Sequence, residues 1–408
     1  MKKSLVFCLV FILIAAAAVF ADLEFSLSGD ASVTWGIDLD NTATGFVNSA
    51  SSSLSVTIVS KQSKEKGADD AVYGYIKISD FELKLSPSSV SGLKGDVTAK
   101  VMAKPLYVTI YNKPGIAPNK ASIPGYLGVV TTKDGVVGDV DSFGSGTTGG
   151  IAIGVDTDVV DVELQFISYG SYINRDLNTN NDYAVGLTVS VGAVEGLTLE
   201  AAAGYYIGDV GTKMDASVKA GYAIGLGGDM ALKPVVGFDM DYETDLNMEA
   251  SVGLYLKLAK GDYDQSVDFK VIGPEKTVTP GLFVGFLLSI PASGDLNGNL
   301  VASFYEPSGD DGVLPIVGAG VFFELANLLV GTMDMGVGVS LDATINGIKP
   351  YAAVKATGFM TTLALLAEVG VEIPVFANTT LTLDWTSGDL AADPAVKGNI
   401  TLKVKISY

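Results

Sequence analysis

The chain has 408 residues, with 46 acidic against 26 basic side chains and a formal net charge of −20. A surface this acidic repels phosphate backbones, so the composition argues against nucleic-acid binding. The chain has no histidine and one cysteine, Cys8, which excludes Ser-His-Asp and Cys-His catalysis and zinc sites that use imidazole. We therefore expect a protein that is not an enzyme and that uses no cofactor and no metal.

The first 21 residues, MKKSLVFCLVFILIAAAAVFA, have the layout of a secretory signal peptide. Lys2 and Lys3 precede an apolar run, and small residues lead to a predicted cleavage site after Ala21. Cys8 lies inside the apolar run, which argues against a lipoprotein cleavage site. Beyond Ala21 no stretch approaches the roughly 20 apolar residues that a membrane-spanning helix needs.

The next stretch, DLEFSLSGDASVTWGIDLD at 22–40, alternates without a break. Its odd positions are apolar or glycine, and its even positions are polar, charged or glycine. This period of two predicts a β-strand with two chemically different faces. At about 3.3 Å per residue the stretch would span about 56 Å, more than a bilayer core of about 30 Å. We therefore expect it either to bend near Gly29 or to project past the membrane with Asp38 and Asp40 in water. Trp35 is the candidate that would mark the interface.

The same alternation continues along the chain. It is less regular in the N-terminal part, at 54–58, 72–78, 81–85, 97–103, 106–110 and 162–166, and persistent from Tyr183 to the final NITLKVKISY. Two stretches, FELANLLVG near 325 and TLALLAEVG near 365, are compatible with helix as well. Clusters of Gly, Asn, Asp and Ser separate the segments and are typical of turns.

Two architectures are compatible with this alternation. One is a soluble β-sandwich or barrel, and the other is a transmembrane β-barrel. Three features favour the transmembrane barrel: the apolar faces use Ala and Gly freely, the regular strands run about 9 to 13 residues, and the chain ends on an aromatic, Tyr408. Ordinary soluble strands average about 5 or 6 residues. The predicted fold is an all-β, large antiparallel transmembrane β-barrel of roughly 16–20 strands, with residues 1–21 as signal peptide and 22–408 as barrel.

Two groups of side chains are the candidate site residues. Asp239, Asp241, Glu243 and Asp245 of FDMDYETD are expected on one face of a strand, as an acidic lumen or mouth that concentrates cations. Trp35, Tyr205, Tyr206 and Tyr408 are candidate aromatics of the membrane interface. The GSGTTG of residues 144–149 matches a dinucleotide-binding pattern but lacks a following helix, so we interpret it as a loop.

The residues ASVTWGIDLDNTATGFVN (31–48), with the following SLSVTIVSKQSKEKGADDAVYGYIKISDFELKL and with YNKPG (111–115), resemble the N-terminal signature of the spirochaetal major outer sheath protein family. The resemblance is clearest over about 25–115. It implies an abundant outer-membrane barrel with pore-forming activity, often oligomeric, that in host-associated species also binds host matrix proteins. It also implies an alternative division into an N-terminal periplasmic or sheath region (22–180) and a C-terminal barrel (181–408).

The leading functional hypothesis is an outer-membrane porin that passes small polar solutes and prefers cations. Its partners would be outer-membrane lipid, the solutes or cations themselves, and further copies of the chain. The alternative is a surface-exposed sheath protein or adhesin without a pore role, which would bind host or matrix proteins through the long polar loops 114–150 and 259–279.

Overall fold

The computed structural model describes residues 21–60, 72–86, 89–111, 121–130, 148–169, 183–208, 211–228, 230–258, 269–272, 280–309 and 316–407. These residues form antiparallel β-strands joined by turns and loops. Among them, no helix is long and apolar enough to cross a membrane. The predicted signal peptide and Tyr408 lie outside the described residues.

The described part of the chain forms 21 strands. They are β1 Ala21–Asp38, β2 Thr44–Ser60, β3 Val72–Ser86, β4 Ser89–Ala103, β5 Leu106–Tyr111, β6 Thr148–Asp156, β7 Val160–Tyr169, β8 Tyr183–Val191, β9 Leu197–Gly208, β10 Gly211–Tyr222, β11 Ile224–Gly227, β12 Met230–Tyr242, β13 Leu246–Lys257, β14 Gly281–Ile290, β15 Asn297–Glu306, β16 Val317–Ala326, β17 Asp334–Ala343, β18 Lys349–Thr357, β19 Ala364–Phe376, β20 Thr379–Thr386 and β21 Asn399–Ser407.

Apart from β10 and β11, strands that are consecutive in the chain pair with each other, and β1 pairs with β21, so the sheet closes into a barrel. Strands β10 and β11 lie end to end against β12, so the 21 strands occupy 20 positions around the ring. An even number of positions lets the first and last strands meet antiparallel. Closure pairs the strand edges, which a bilayer could not hydrate. The predicted large antiparallel barrel is confirmed, at the upper end of the expected strand number.

The ring includes the N-terminal strands. Strands β1 to β7, from residues 21–169, stand in the same sheet as β8 to β21. The ladder between β2 and β3 is short, with four residue pairs from Val56↔Ile78 to Val59↔Tyr75.

The opening stretch divides into two parts. Residues 30–37 pair on both sides, with β2 and with β21, whereas residues 21–29 pair only with β2. The second half therefore belongs to the closed wall, and the first half extends beyond the end of β21. At the other end of β1, Asp40 accepts hydrogen bonds from the backbone N–H groups of Lys397 (2.8 Å) and Gly398 (3.0 Å), which ties the turn after β1 to the loop before β21.

The two rims of the barrel can be named from strand direction. The terminal rim is the end at which β1 starts and β21 ends, and the distal rim is the opposite end. Because the strands alternate in direction, the β12–β13 turn at 243–245 lies at the distal rim. The loop between β5 and β6 also starts at the distal rim, whereas the loop between β13 and β14 starts at the terminal rim.

The outer face of the wall is apolar. One row crosses six strands in register: Leu282, Phe304, Val321, Val339, Val354 and Ala367. The three valines are 52%, 48% and 40% exposed, although they are large apolar side chains. An apolar belt on the outside and polar residues on the inside are the arrangement of a transmembrane barrel, with lipid outside and water inside.

The two stretches that were compatible with helix are strands. FELANLLVG starts in β16 and continues into the following turn, and TLALLAEVG forms the beginning of β19. Both keep the period of two, with Glu324 and Glu368 facing inward and buried.

Candidate functional site: the partly filled lumen

The inner face of the wall is rich in carboxylates. Ten charged side chains are buried among the described residues, and nine of them are acidic. The nine are Asp215, Asp239, Asp241, Glu249, Glu306, Glu324, Asp342, Glu368 and Asp384; the tenth is Lys213. All lie on strands, and eight of the nine acidic side chains alternate with the outward valines and leucines and therefore face the lumen. Glu306, the last residue of β15, is instead in register with Ala319 and Leu341 of the outward face.

The lumen also contains residues 121–130, which belong to the connection between β5 and β6. Ala121, Ile123, Tyr126, Leu127 and Val130 are buried in an apolar cluster with inward residues of the wall. The Tyr126 ring, for example, packs on Phe322 of β16 at a centroid distance of 5.4 Å. The interior of the barrel is therefore narrowed by an apolar insertion.

Glu324 anchors this segment. Its Oε1 accepts hydrogen bonds from the backbone N–H groups of Tyr126 and Leu127 (2.8 Å for Leu127), and its Oε2 accepts those of Val129 (3.0 Å) and Val130 (2.9 Å). The carboxylate is 0% exposed, so the four donors replace the water that it would otherwise bind. Hydrogen bonds to a charged group contribute about 1.5–3 kcal/mol each.

The segment can turn around Glu324 because small residues allow close approach. A Cβ at Gly125 would lie 2.5 Å from the Val130 carbonyl oxygen. On the facing strand β17, a Cβ at Gly336 would lie 2.8 Å from Val129 Cγ2, and one at Gly338 would lie 2.7 Å from Leu127 Cδ2. The inward glycines of β17 therefore form the recess that receives the segment.

A second segment, residues 269–272 of the β13–β14 connection, also lies inside the barrel. Phe269, Val271 and Ile272 belong to the same apolar cluster. The Phe269 ring packs edge-on against Tyr305 (5.9 Å) and Tyr351 (6.3 Å) of the wall. The two segments come from loops that start at opposite rims, and they meet in one constriction.

Wall carboxylates hold the second segment as well. The Val271 N–H donates to Glu368 Oε2 at 3.1 Å, and the Lys270 ammonium forms an ion pair with Asp384. The Lys270 side chain is 51% exposed, so this pair contributes little, whereas the bond to Glu368 is buried.

The predicted acidic constellation is divided by the structure. Asp239 and Asp241 face the lumen from β12 and are buried, whereas Glu243 and Asp245 lie in the exposed turn at the distal rim. The expectation that all four share one strand face is therefore wrong, because β12 ends at Tyr242. Asp239 also accepts a hydrogen bond from the Ala121 N–H, so it anchors the first segment.

Asp215, a buried carboxylate beside Asp241, is not predicted by the sequence analysis. Asp215 of β10 lies directly opposite Asp241 and is 0% exposed. The Lys213 ammonium lies 3.8 Å from Asp241 Oδ1. The DASVKA segment gives no local sign of this group, because the register between β10 and β12 brings the residues together.

The candidate interface aromatics face two ways. Tyr205 is 44% exposed and lies in one outward row with Met214 and Tyr242, near the distal rim. Tyr206 is 0% exposed and faces the lumen, so it cannot be an interface aromatic; consecutive strand residues point to opposite faces. Trp35 lies on the outward face of β1 near the distal rim, beside the exposed Phe46.

The long loops were also interpreted incorrectly in part. The sequence predicts 114–150 and 259–279 as long polar loops. In the structure, residues 148–150 already belong to β6, and most side chains of 121–130 and 269–272 are buried in the lumen. The composition of ASIPGYLGVV contains the signal that was missed. Five of its ten residues are large and apolar or aromatic, which is unusual for a solvated loop.

Two cavities border the first segment. One of about 240 Å³ lies beside Val129, Glu249 and Asn299, and another of about 260 Å³ lies beside Tyr126, Lys219 and Lys233. Within the described residues, no group of three or more Asp, Glu, Cys and His side chains is arranged to hold a metal ion.

Comparison with known proteins gives one relative by sequence. Major surface protein MspTL of Treponema lecithinolyticum is 36% identical over 130 residues, a match that covers 27% of this chain and 21% of the relative, about a fifth of its length. No protein-family model matches the chain.

Among solved structures, OccAB3 of Acinetobacter baumannii is similar over 95% of this chain and 99% of its own, at 10% identity and a TM-score of 0.42. A triple mutant of the Rhodopseudomonas blastica porin covers 94% of this chain and 100% of its own, at 12% identity and a TM-score of 0.31. By sequence, then, this chain is similar over part of its length to a treponemal major surface protein, which confirms the resemblance to the spirochaetal major outer sheath proteins over the matched segment.

Proposed function

We propose that this protein is an outer-membrane porin that passes small polar solutes by passive diffusion and prefers cations. One observation carries the proposal: a closed ring of strands has an apolar outer row and a carboxylate-lined interior. The outer row suits lipid, and the interior suits water and ions. The constriction made by residues 121–130 and 269–272 would restrict passage to small solutes.

The charge of the lumen supports the preference for cations. Among the described residues, eight buried carboxylates face the lumen, against one buried ammonium group, that of Lys213. Fixed negative charge in a narrow, water-filled passage raises the local concentration of cations and excludes anions. Glu243 and Asp245, exposed at the distal rim, would extend the same field to the mouth of the pore.

Planar lipid bilayers test both parts of the proposal. The purified barrel should give discrete conductance steps, and a tenfold KCl gradient should give a reversal potential of the cation-selective sign, at most about 59 mV. The variant E243Q/D245N should reduce this potential at low salt and leave it unchanged near 1 M, where the Debye length is about 3 Å. A folded barrel without conductance refutes the pore, and a potential of the opposite sign refutes the cation preference.

A surface role is the second candidate, and the similarity to a treponemal protein named as a major surface protein favours it. In this alternative the chain would be a sheath protein or adhesin that binds matrix proteins, and it would assemble with further copies of itself. Protease treatment of intact cells should then cleave the protein, and the purified barrel should bind immobilised matrix protein. A barrel that conducts but binds no matrix protein would leave only the pore.

A further inference from the structure

The cavity of about 260 Å³ differs in chemistry from the rest of the lumen. It lies between the first in-folded segment and the inner faces of β10, β12, β13 and β14. The side chains that define its character are Tyr126, Lys219, Lys233, Ser251, Tyr255 and Phe283. Its size is just below the range of small-molecule sites, about 300–1,000 Å³, and suits a compound with a single ring.

Two ammonium groups set the charge of this cavity. Lys219 and Lys233 are both half-buried and face inward from β10 and β12. Lys233 Nζ donates to Thr198 Oγ1 at 3.4 Å, which uses one of its three donors. The cavity therefore offers charged donors to an anion.

Measured along its own strand, each lysine is distant from the buried carboxylates Asp215 and Asp239. Asp239 is six residues from Lys233 on β12, or about 20 Å at 3.3 Å per residue, and Asp215 is four residues from Lys219 on β10, or about 13 Å. Separations beyond the Debye length of about 8 Å at physiological salt weaken the influence of Asp239 on Lys233 and of Asp215 on Lys219 where water fills the lumen.

Two carboxylates are closer to Lys219. Asp239 lies diagonally across the β10–β12 ladder from it, at about 7–8 Å, and its carboxylate accepts the Ala121 N–H. Glu200 of β9 lies directly opposite Lys219 on the inner face, although it does not line the cavity. It competes with any bound anion for the Lys219 ammonium. Its removal should therefore strengthen binding of an anion, and this direction is opposite to the effect of removing either lysine.

The other walls of the cavity are aromatic and rigid. The Tyr126 backbone is fixed by Glu324, and the Tyr255 hydroxyl donates to the Pro280 carbonyl oxygen. Phe283 adds a third ring, and the Ser251 hydroxyl lies among them. Aromatic walls at one side and ammonium groups at the other match a ligand with a flat apolar ring and one negative charge.

We propose that this cavity is a binding site for small aromatic carboxylates inside an otherwise acidic lumen. The proposal deepens the porin function and rests on it in one respect, that solutes reach the lumen. It makes the pore more than an unselective passage, because an organic anion would be held at a local basic site beside the constriction.

Equilibrium binding tests this site without any need for conductance. Benzoate is titrated into the folded full-length barrel in detergent and followed by isothermal titration calorimetry, with benzyl alcohol and acetate as matched probes for the ring and the charge. Benzoate should bind at least tenfold more tightly than either. K219Q/K233Q should weaken benzoate binding by tenfold or more, because the variant removes both charged donors that the carboxylate would meet.

Two further variants make the result specific. E200Q should strengthen benzoate binding severalfold. K405Q, a lumen lysine that pairs with Asp30 at the β1–β21 seam (3.0 Å), should leave it unchanged. Equal effects of K405Q and K219Q/K233Q, or no binding by a folded barrel, would overturn the site. A barrel that binds benzoate but does not conduct would refute the pore and leave the site intact, so the two failures are distinguishable.

Discussion

Replacement of Glu324 by glutamine should release the first in-folded segment from the wall. The carboxylate accepts four backbone N–H groups through its two oxygens, and it has no exposure to water. Glutamine offers one carbonyl oxygen in place of two, and its NH₂ group would face N–H donors. E324Q therefore keeps the size of the side chain and removes two of the four hydrogen bonds.

The size of the effect follows from those two bonds. Each bond to a charged acceptor contributes about 1.5–3 kcal/mol, so the loss of two weakens the docked position by about 3–6 kcal/mol of local free energy. At about 1.4 kcal/mol per factor of ten, the ratio of docked to released segment falls by roughly 10²–10⁴. No discount for solvent screening applies, because the carboxylate is fully buried.

Hydrogen exchange measured by mass spectrometry reports on this release directly. The amides of residues 126–130 should exchange at least a hundredfold faster in E324Q, while the amides of the wall strands keep their protection. Single-channel conductance should rise as the constriction opens. The matched control is E372Q, which removes the same charge from an inward residue of β19 whose carboxylate accepts no hydrogen bond from the described residues of either segment.

Two outcomes would refute the reasoning. If the amides of 126–130 exchange at the wild-type rate in E324Q, the four bonds do not hold the segment. If E372Q accelerates their exchange as much as E324Q does, the effect is one of lumen charge and not of the anchor.

Three other substitutions test different parts of the barrel. D384N should accelerate exchange in 269–272 less than E324Q does in 126–130, because the partner ammonium of Lys270 is half-exposed and such a pair contributes at most about 1 kcal/mol. V339K places a charge in the outward apolar row and should cost about 2–4 kcal/mol of folding in lipid vesicles, whereas V339L should be nearly neutral. The backbone N–H groups of Lys397 and Gly398 hold the pKa of Asp40 below its ordinary value of 3.8, so its stabilising effect is complete above pH 3.8 and is lost as the pH falls through the lowered pKa. The difference in thermal unfolding midpoint between the wild type and D40A should therefore shrink below pH 3.8; a constant difference would contradict this role.

The two faces of the wall could be predicted from the sequence. In each strand the alternate residues meet different solvents, so Val339 and Ser340, adjacent in the chain, already differ in chemistry. Strand length and the small residues of the apolar faces distinguished a membrane barrel from a soluble sandwich. The same periodicity implies that Tyr205 and Tyr206 cannot share one interface, a consequence that only became clear with the structure.

The contents of the lumen were decided by tertiary structure alone. Glu324 meets the backbone of Tyr126 across 198 residues of sequence, and Asp215 meets Asp241 through the register of two strands. The alternation of residue types predicts whether a side chain points inward or outward from the wall, but it does not predict what fills the lumen. Ring closure brings distant inward carboxylates around the segments 121–130 and 269–272. The backbone N–H groups of these two segments are buried away from water, so they donate their hydrogen bonds to the carboxylates.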